Sequence, residues 1–436
     1  MRISKRRSRK RVGGLVDGIL VGVLSGGAVV CYRLGLEMVA RWTGLFRLSA
    51  SSNRFLLFLF FCFLFLGGWA VGIMVRWEPL AAGSGIPHVK GVLQGALPSV
   101  WWRILLVKFA GGLLGIGAGL SLGREGPSVQ IGAMVGQGWG TYRRDRNRIP
   151  LFVTAGASAG IAASFGAPLS GVVFALEELH RGFSSLVLVA SMTASLTADV
   201  LSRSVFGMEP ILDFHLEHPF PLHQYGLILL LALLLGVLGV VFNRVLLETQ
   251  DFFLSLRWVS PSFQPVPIFI LAGVLGFVFP QVLGGGHHLI ASLPQDPYPW
   301  SALLLLVLVK FWFTMGSYAS STPGGIFFPL LTIGALLGGL WGKLFTGVMS
   351  LDFVALGMAG YFSAITRAPL TGILLILELT GSWSHLPVIA LTCLLAYVVA
   401  DLLGGKLIYD VLLKRLEARY SPGEGLQFEQ SPRAAE

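Results

Sequence analysis

Two kinds of residue in this sequence are placed to do chemistry. The first are carboxylates in apolar surroundings: Glu125 in GREGP (123–127), and Glu177 with Glu178 in FALEEL (174–179). Carboxylates inside membrane segments are costly, and they commonly serve proton relays or pair with helix ends. The second are three glycine motifs, GSGIP (83–87), GREGP (123–127) and GGIFFP (324–329). In each, Gly and Pro interrupt an apolar pattern and a helix-forming run follows. Proline suits the first helical turn, where its missing N–H is no loss. Each motif therefore predicts a helix N-terminus, with free N–H groups and a partial positive charge that attract anions. One such end contributes about 0.3–1 kcal/mol, or up to ~2 kcal/mol when partly buried. An ionised carboxylate at mid-membrane costs about 2.5–3.5 kcal/mol. A single end is thus too weak to hold an anion there, whereas two or three converging ends, helped by hydroxyls, suffice. One glycine motif alone would read more simply as tight helix packing.

The elements that must position these groups follow from composition. Of 436 residues, 54% are hydrophobic and 12% charged, against about a quarter charged in soluble domains. Apolar runs long enough to span a bilayer recur, for example at 55–74, 223–247 and 386–404. The runs are continuous rather than alternating, which predicts helices and excludes a β-barrel. An all-α polytopic membrane protein with a dozen or more helical segments is expected. The 56 glycines suit close helix packing or broken helices around an ion site.

The formal charge is +10, but its placement argues against nucleic acid: MRISKRRSRKR opens the chain and YRRDRNR (142–148) lies between apolar runs. Basic clusters beside spans face the cytoplasm. The N-terminus reads as a retained cytoplasmic start of residues 1–13, without a cleavage site. Cys31, Cys62 and Cys393 are far apart in apolar stretches, and His287-His288 are adjacent and so point two ways. No metal or cofactor is expected.

The glycine motifs belong to a duplication. Pro127, Ile131, Gly132, Ala133, Gly136, Trp139 and Gly140 return 202 residues later as Pro329, Ile333, Gly334, Ala335, Gly338, Trp341 and Gly342. Val107-Lys108-Phe109 returns as Val309-Lys310-Phe311, and GAPLSGVVFALEEL (166–179) as RAPLTGILLILELT (367–380). Two halves are expected, at about 12–205 and 222–410, joined by a linker at 207–222, within one transmembrane domain spanning 14–415. The tail, 416–436, is too short for an appended regulatory domain. The first copy of the glycine-rich helix ends in YRRDRNR and the second in KLFTGVMSLD. The positive-inside rule then places the two exits on opposite faces, making the halves inverted, as in transporters built from repeats.

Taken together, these motifs resemble the CLC family of chloride channels and chloride/proton antiporters. GSGIP, GREGP and GGIFFP occur in the family's order, as does the tyrosine of KLIYDVLL, and the resemblance runs from about 14 to 415. It implies two inverted repeats whose broken helices meet at a mid-membrane anion site. By position, Ser84 and Tyr409 resemble the hydroxyl pair that contacts the central anion. The backbone of Ile326 and Phe327, with Gly325, resembles the other half of that site; Gly83, Gly85 and Gly126 belong to the same loops. Glu125 resembles the gating glutamate, whose carboxylate competes with the anion until protonated. Arg124 is expected to hold its loop, with its backbone N–H near the site. Phe328 stands where many relatives have alanine.

The family contains channels and antiporters. Glu177 is matched by Glu378 across the repeat and reads as structural, and so do Lys108 and Lys310. Glu178 is matched by Leu379 and resembles the inner proton-transfer glutamate of antiporters. Chloride/proton exchange is therefore expected, with a passive chloride channel as the rival. Ser84 goes with chloride preference. The resemblance also implies a homodimer of prokaryotic type in the plasma (inner) membrane, with both termini cytoplasmic. No enzyme is expected: the GK pairs at 342–343 and 405–406 lack the Ser or Thr of a P-loop, and Ser84 lacks a sequence-evident catalytic partner.

Overall fold

The computed structural model describes residues 2–180, 182, 184–209, 212, 220–256, 259–295 and 298–420. The described residues form a helical bundle with one β-bridge, between Gly123 and Gly325. Most of the expected linker at 207–222, the first residue and the tail beyond 420 lie outside them. The first half contains α1 (Arg2–Ser51), α2 (Arg54–Trp77), α3 (Ile86–Leu93), α4 (Trp101–Gly117), α5 (Glu125–Tyr142), α6 (Ile149–Phe165), α7 (Pro168–Phe174) and α8 (Ser185–Phe206). The second contains α9 (Tyr225–Ser255), α10 (Val266–Val278), α11 (His287–Ser292), α12 (Trp300–Ala319), α13 (Phe327–Thr346), α14 (Leu351–Thr366), α15 (Pro369–Thr380), α16 (Leu386–Leu402) and α17 (Ile408–Arg419).

Among the described residues, nine helices are long and apolar enough to cross a membrane. The expected spans at 55–74, 223–247 and 386–404 fall in α2, α9 and α16. Several other helices are short and start deep in the protein, as broken helices must. α3 begins two residues after Ser84, α5 begins at Glu125 and α13 begins at Phe327. Each of the three glycine motifs therefore opens a helix, with Pro87, Pro127 and Pro329 in the first turn.

Most of the repeated glycines pack helices. A Cβ on Gly136 of α5 would run into the Phe152 carbonyl of α6, and one on Gly132 into the Gly156 carbonyl. In the second half, Gly338 meets Phe353 and Gly334 meets Gly357 in the same way between α13 and α14. These are close backbone crossings of the small-xxx-small kind. Asp17 near the start of α1 is bonded to Arg143 and Arg148, both at 2.6 Å. That puts the basic exit of α5 on the same face as the beginning of the chain.

Candidate functional site: three helix ends around a buried carboxylate

The three glycine loops meet at one place. Gly123 N–H donates to the Gly325 carbonyl at 2.7 Å, and Gly325 N–H returns the bond to Gly123 at 2.8 Å. These two residues are 202 positions apart, so the local symmetry axis of the repeat runs between them. Gly324 N–H donates to the Gly83 carbonyl at 2.9 Å, which ties in the third loop. The approach demands glycine: a Cβ on Gly126 would lie 2.8 Å from the Ser84 carbonyl oxygen and 3.1 Å from Gly325 Cα. Gly83 and Gly85 have φ of +58° and +79°, a conformation that costs residues with a Cβ about 1–2 kcal/mol.

Glu125 is 2% exposed. Its carboxylate lies by its own backbone N–H and that of Phe328, so it sits across the ends of α5 and α13 at once. Arg124 Nε is 3.9 Å away, and the same guanidinium reaches the Ser164 carbonyl at 3.4 Å. Glu125 lines a cavity of about 510 Å³ together with Gly123, Arg124, Arg33, His287 and Phe328. Ser84 lines a different cavity of about 80 Å³ with Gly83, Gly85, His88, Tyr318 and Arg415. The two cavities share no lining residue; Gly123 lines the first and Gly83 the second, and the Gly123–Gly325 and Gly324–Gly83 hydrogen bonds join these loops at a junction.

On the Ser84 side, the hydroxyls of Ser84 and Tyr409 are buried and accept or donate no hydrogen bond of good geometry. The Tyr318 phenol lies beside Ser84. The Tyr409 ring packs edge-on to Phe174 at 6.5 Å, and Phe174 packs on Phe327 at 5.9 Å. Phe327 stacks further against Phe362 at 4.6 Å. The neighbouring Phe328 lines the larger cavity against His287, and Phe165 packs on both phenylalanines. Ile326 precedes α13 as its N-cap residue and is fully buried. The residues that the resemblance assigns to the anion site and the gate thus lie in or beside the junction, and Glu178 does not.

Glu178 sits further along the Ser84 side. The chain after α7 continues as a π-helical turn, Ala175–His180. Such turns are rare and occur mostly as single-turn bulges inside α-helices, frequently at functional sites. Here it lets adjacent carboxylates serve different partners. Glu177 reaches the N-terminus of α15, accepting from Leu370 N, Thr371 N and Thr371 Oγ1. Glu178 accepts from Lys90 Nζ at 2.6 Å. Glu378 does for α7 what Glu177 does for α15, accepting from Leu169 N, Ser170 N and Ser170 Oγ.

The paired lysines are structural as well. Lys108 Nζ donates to the Gly83 carbonyl at 2.8 Å. Lys310 Nζ donates to the carbonyls of Val282 and Gly284 at 2.8 and 2.6 Å. Each therefore staples the loop before a short helix, GSGIP in one half and GGGHH in the other. Sequence reasoning missed Lys90 and Asp410, which meet beside Glu178. The signal available was Lys90 itself, one charge inside the apolar run IPHVKGVL.

A helical membrane chain of two halves, with broken helices converging on a carboxylate, defines a transporter of the inverted-repeat class. The chain belongs to the CLC family: residues 62–401 match the family described as "Voltage gated chloride channel". It is 35% identical over 413 residues to the "H(+)/Cl(-) exchange transporter ClcA" of Vibrio cholerae serotype O1, covering 91% of this chain and 88% of that one. It is 32% identical to the protein of the same name from Salmonella paratyphi B, covering 98% and 93%. Among solved structures it resembles a slow cyanobacterial Cl−/H+ antiporter, with a TM-score of 0.87, 31% identity, and 93% and 98% of the two chains covered. A CLC-type fluoride/proton antiporter shares the fold at a TM-score of 0.77 and 22% identity, with 91% and 97% covered.

Proposed function

We propose that this chain exchanges chloride for protons across a membrane, with Glu125 as the group both ions share. The observation that carries the reading is the position of the Glu125 carboxylate, buried beside N–H groups at the ends of α5 and α13 and lining a cavity separate from the one at Ser84. An anion entering from either side meets the same N–H groups that now hold the carboxylate. The two anions compete because converging helix ends neutralise about one charge. Protonation removes the charge on Glu125 and with it the competition. The side chain then swings into the larger cavity, and chloride takes its place.

On the other side, Ser84 and Tyr409 offer hydroxyls to the anion, and the backbone of Ile326 and Phe327 offers N–H groups; Gly325, whose own N–H is taken by the Gly123 carbonyl, shapes the loop. Gly83, Gly85 and Gly126 keep that backbone close. Arg124 fixes the loop. Glu178 passes protons to Glu125 by a route that bypasses the anion. Exchange, rather than a channel, is supported by an inner carboxylate present in only one half and by the exchangers among the relatives. The working unit is one transmembrane domain, 14–415, with repeats at about 12–205 and 222–410. It assembles as a homodimer in a bacterial inner membrane with both termini cytoplasmic. Asp17 joined to the basic α5 exit supports a shared cytoplasmic face for the two basic clusters.

The test is proton movement into or out of liposomes, driven only by a chloride gradient. Uphill proton movement that vanishes in Glu125→Gln and in Glu178→Gln, while chloride still flows, is the expected result. Chloride flux without proton movement in the unaltered protein would mean a channel.

A further inference from the structure

Glu178 has little direct access to water, its side chain being 3% exposed. Its partner Lys90 is fully buried and holds a second carboxylate: Nζ lies 2.6 Å from Glu178 Oε1 and 2.5 Å from Asp410 Oδ1. Asp410 is the member that faces out, with a quarter of its side chain exposed. It comes from α17, directly after Tyr409, whereas Lys90 comes from α3 and Glu178 from the π-helical turn. Three elements distant in sequence thus place one ammonium between an exposed carboxylate and a buried one.

We propose that Asp410 is the residue that takes up protons for Glu178, with Lys90 linking the two. The proposal rests on the exchange reading and deepens it. The placement supports it: the Lys90 ammonium touches both carboxylates, and Asp410 is the more exposed of the two. A buried ion pair kept only for stability would need no third, solvent-facing carboxylate, and such pairs are weak stabilisers.

The transfer balances. A proton from water binds Asp410. Its O–H bond breaks as the proton passes to Lys90 Nζ, while a different N–H of Lys90 breaks and its proton forms an O–H on Glu178. Lysine is an ammonium before and after, and one positive charge has moved from the surface to Glu178. Among the described residues, several titratable groups on the same elements are committed elsewhere or buried. On α3, His88 is bonded to the Pro98 carbonyl and to Gln130. On the π-helical turn, Glu177 is committed to α15. On α17, Tyr409 is wholly buried and Arg415 is paired with Asp251 at 2.8 Å.

The test measures chloride-driven proton transport in liposomes while the pH is varied on the α17 face alone. In Asp410→Asn the proton rate is expected to fall about tenfold and to lose most of its dependence on that pH. This is less than the roughly 10²-fold that a positioned proton-transfer group contributes, because water keeps slow access to Glu178. Asp410→Glu is expected to restore both rate and pH dependence. Folding is reported separately by chloride flux in Glu125→Gln/Asp410→Asn, where chloride moves without protons. If the Asn variant does not fold, Asp410→Ser takes its place in the same comparison with Asp410→Glu. Proton transport in the Asn or Ser variant equal to that of the unaltered protein, with the same pH profile, would overturn the proposal alone. An unaltered protein that moves no protons would overturn the exchange reading and this proposal with it.

Discussion

The two halves of the molecule share a scaffold and differ in chemistry. Lys108 and Lys310 each tie down a glycine loop, Glu177 and Glu378 each hold the other half's helix, and Gly123 and Gly325 bond to each other. Every one of these residues has a counterpart 201 or 202 positions away with the same job. The side chains assigned to ions have none. Glu125 is matched by Phe327, Ser84 by Gly285 and Glu178 by Leu379, and the π-helical turn carrying Glu178 is matched by a regular stretch of α15. Symmetry in this fold therefore marks construction and its breaking marks function. A proton route needs only one carboxylate gate, because a second at position 327 would put two like charges on the same helix ends.

Variants can break that division, and the largest effect is expected where symmetry is already broken. Glu125→Gln should abolish chloride-driven proton transport and leave the fold intact, as judged by gel filtration. Next come the glycines at the junction. Gly325→Ala places a methyl 3.1 Å from Gly126 N, where backbone rather than a flexible side chain must yield. Overpacking of this kind costs about 1–3 kcal/mol. Gly126→Ala, facing the Ser84 carbonyl, should cost as much. Both losses should appear as lower denaturant midpoints in detergent, together with slower chloride flux. An alanine tolerated at either position without change would mean that the three loops do not touch as described.

The symmetric carboxylates give a sharper test, because they should behave alike. Glu177→Gln and Glu378→Gln each leave two backbone N–H groups and one hydroxyl with a weaker acceptor. Hydrogen bonds to a charged group contribute about 1.5–3 kcal/mol, and a neutral amide keeps part of that. Each variant is expected to lose about 1–2 kcal/mol in a denaturant titration, with the proton-to-chloride ratio unchanged. A changed ratio in Glu177→Gln alone would move Glu177 into the proton route beside Glu178.

Much of this was legible in the sequence because the repeat displays its own control. Comparing FALEEL with LILELT separates Glu178 from Glu177 before any coordinates exist, and comparing GREGP with GGIFFP isolates Glu125. The glycine motifs announce helix starts because Gly and Pro have local conformational meanings. What the sequence conceals is contact between distant segments. Lys90 and Asp410 are 320 residues apart, and nothing local says that α17 folds back onto α3. The π-helical turn is hidden for a different reason: ALEEL and LELT carry the same apolar pattern, yet only the first forms the turn. Nor does the sequence separate glycines that pack α5 on α6 from those at the junction, since both are read as Gly in an apolar run.

The smallest effect is expected where the halves solve one backbone problem with different residues. α6 ends at Gly166 with φ +61°, and α14 ends at Arg367 with φ +62°. Glycine adopts this conformation freely, whereas a residue with a Cβ pays about 1–2 kcal/mol. Arg367 offsets that strain by donating to the Tyr397 and Gly405 carbonyls at 2.7 and 2.9 Å. At Gly166 a methyl would have space, its nearest neighbour being Asp199 Oδ1 at 3.7 Å. Gly166→Ala should therefore cost the strain alone, about 1 kcal/mol, with exchange unaffected. Arg367→Ala keeps the strain and loses both hydrogen bonds, so it should cost more than Gly166→Ala in the same denaturant titration. Equal costs would mean that the guanidinium contributes nothing to the end of α14, and that arginine stands there despite the strain rather than because it offsets it.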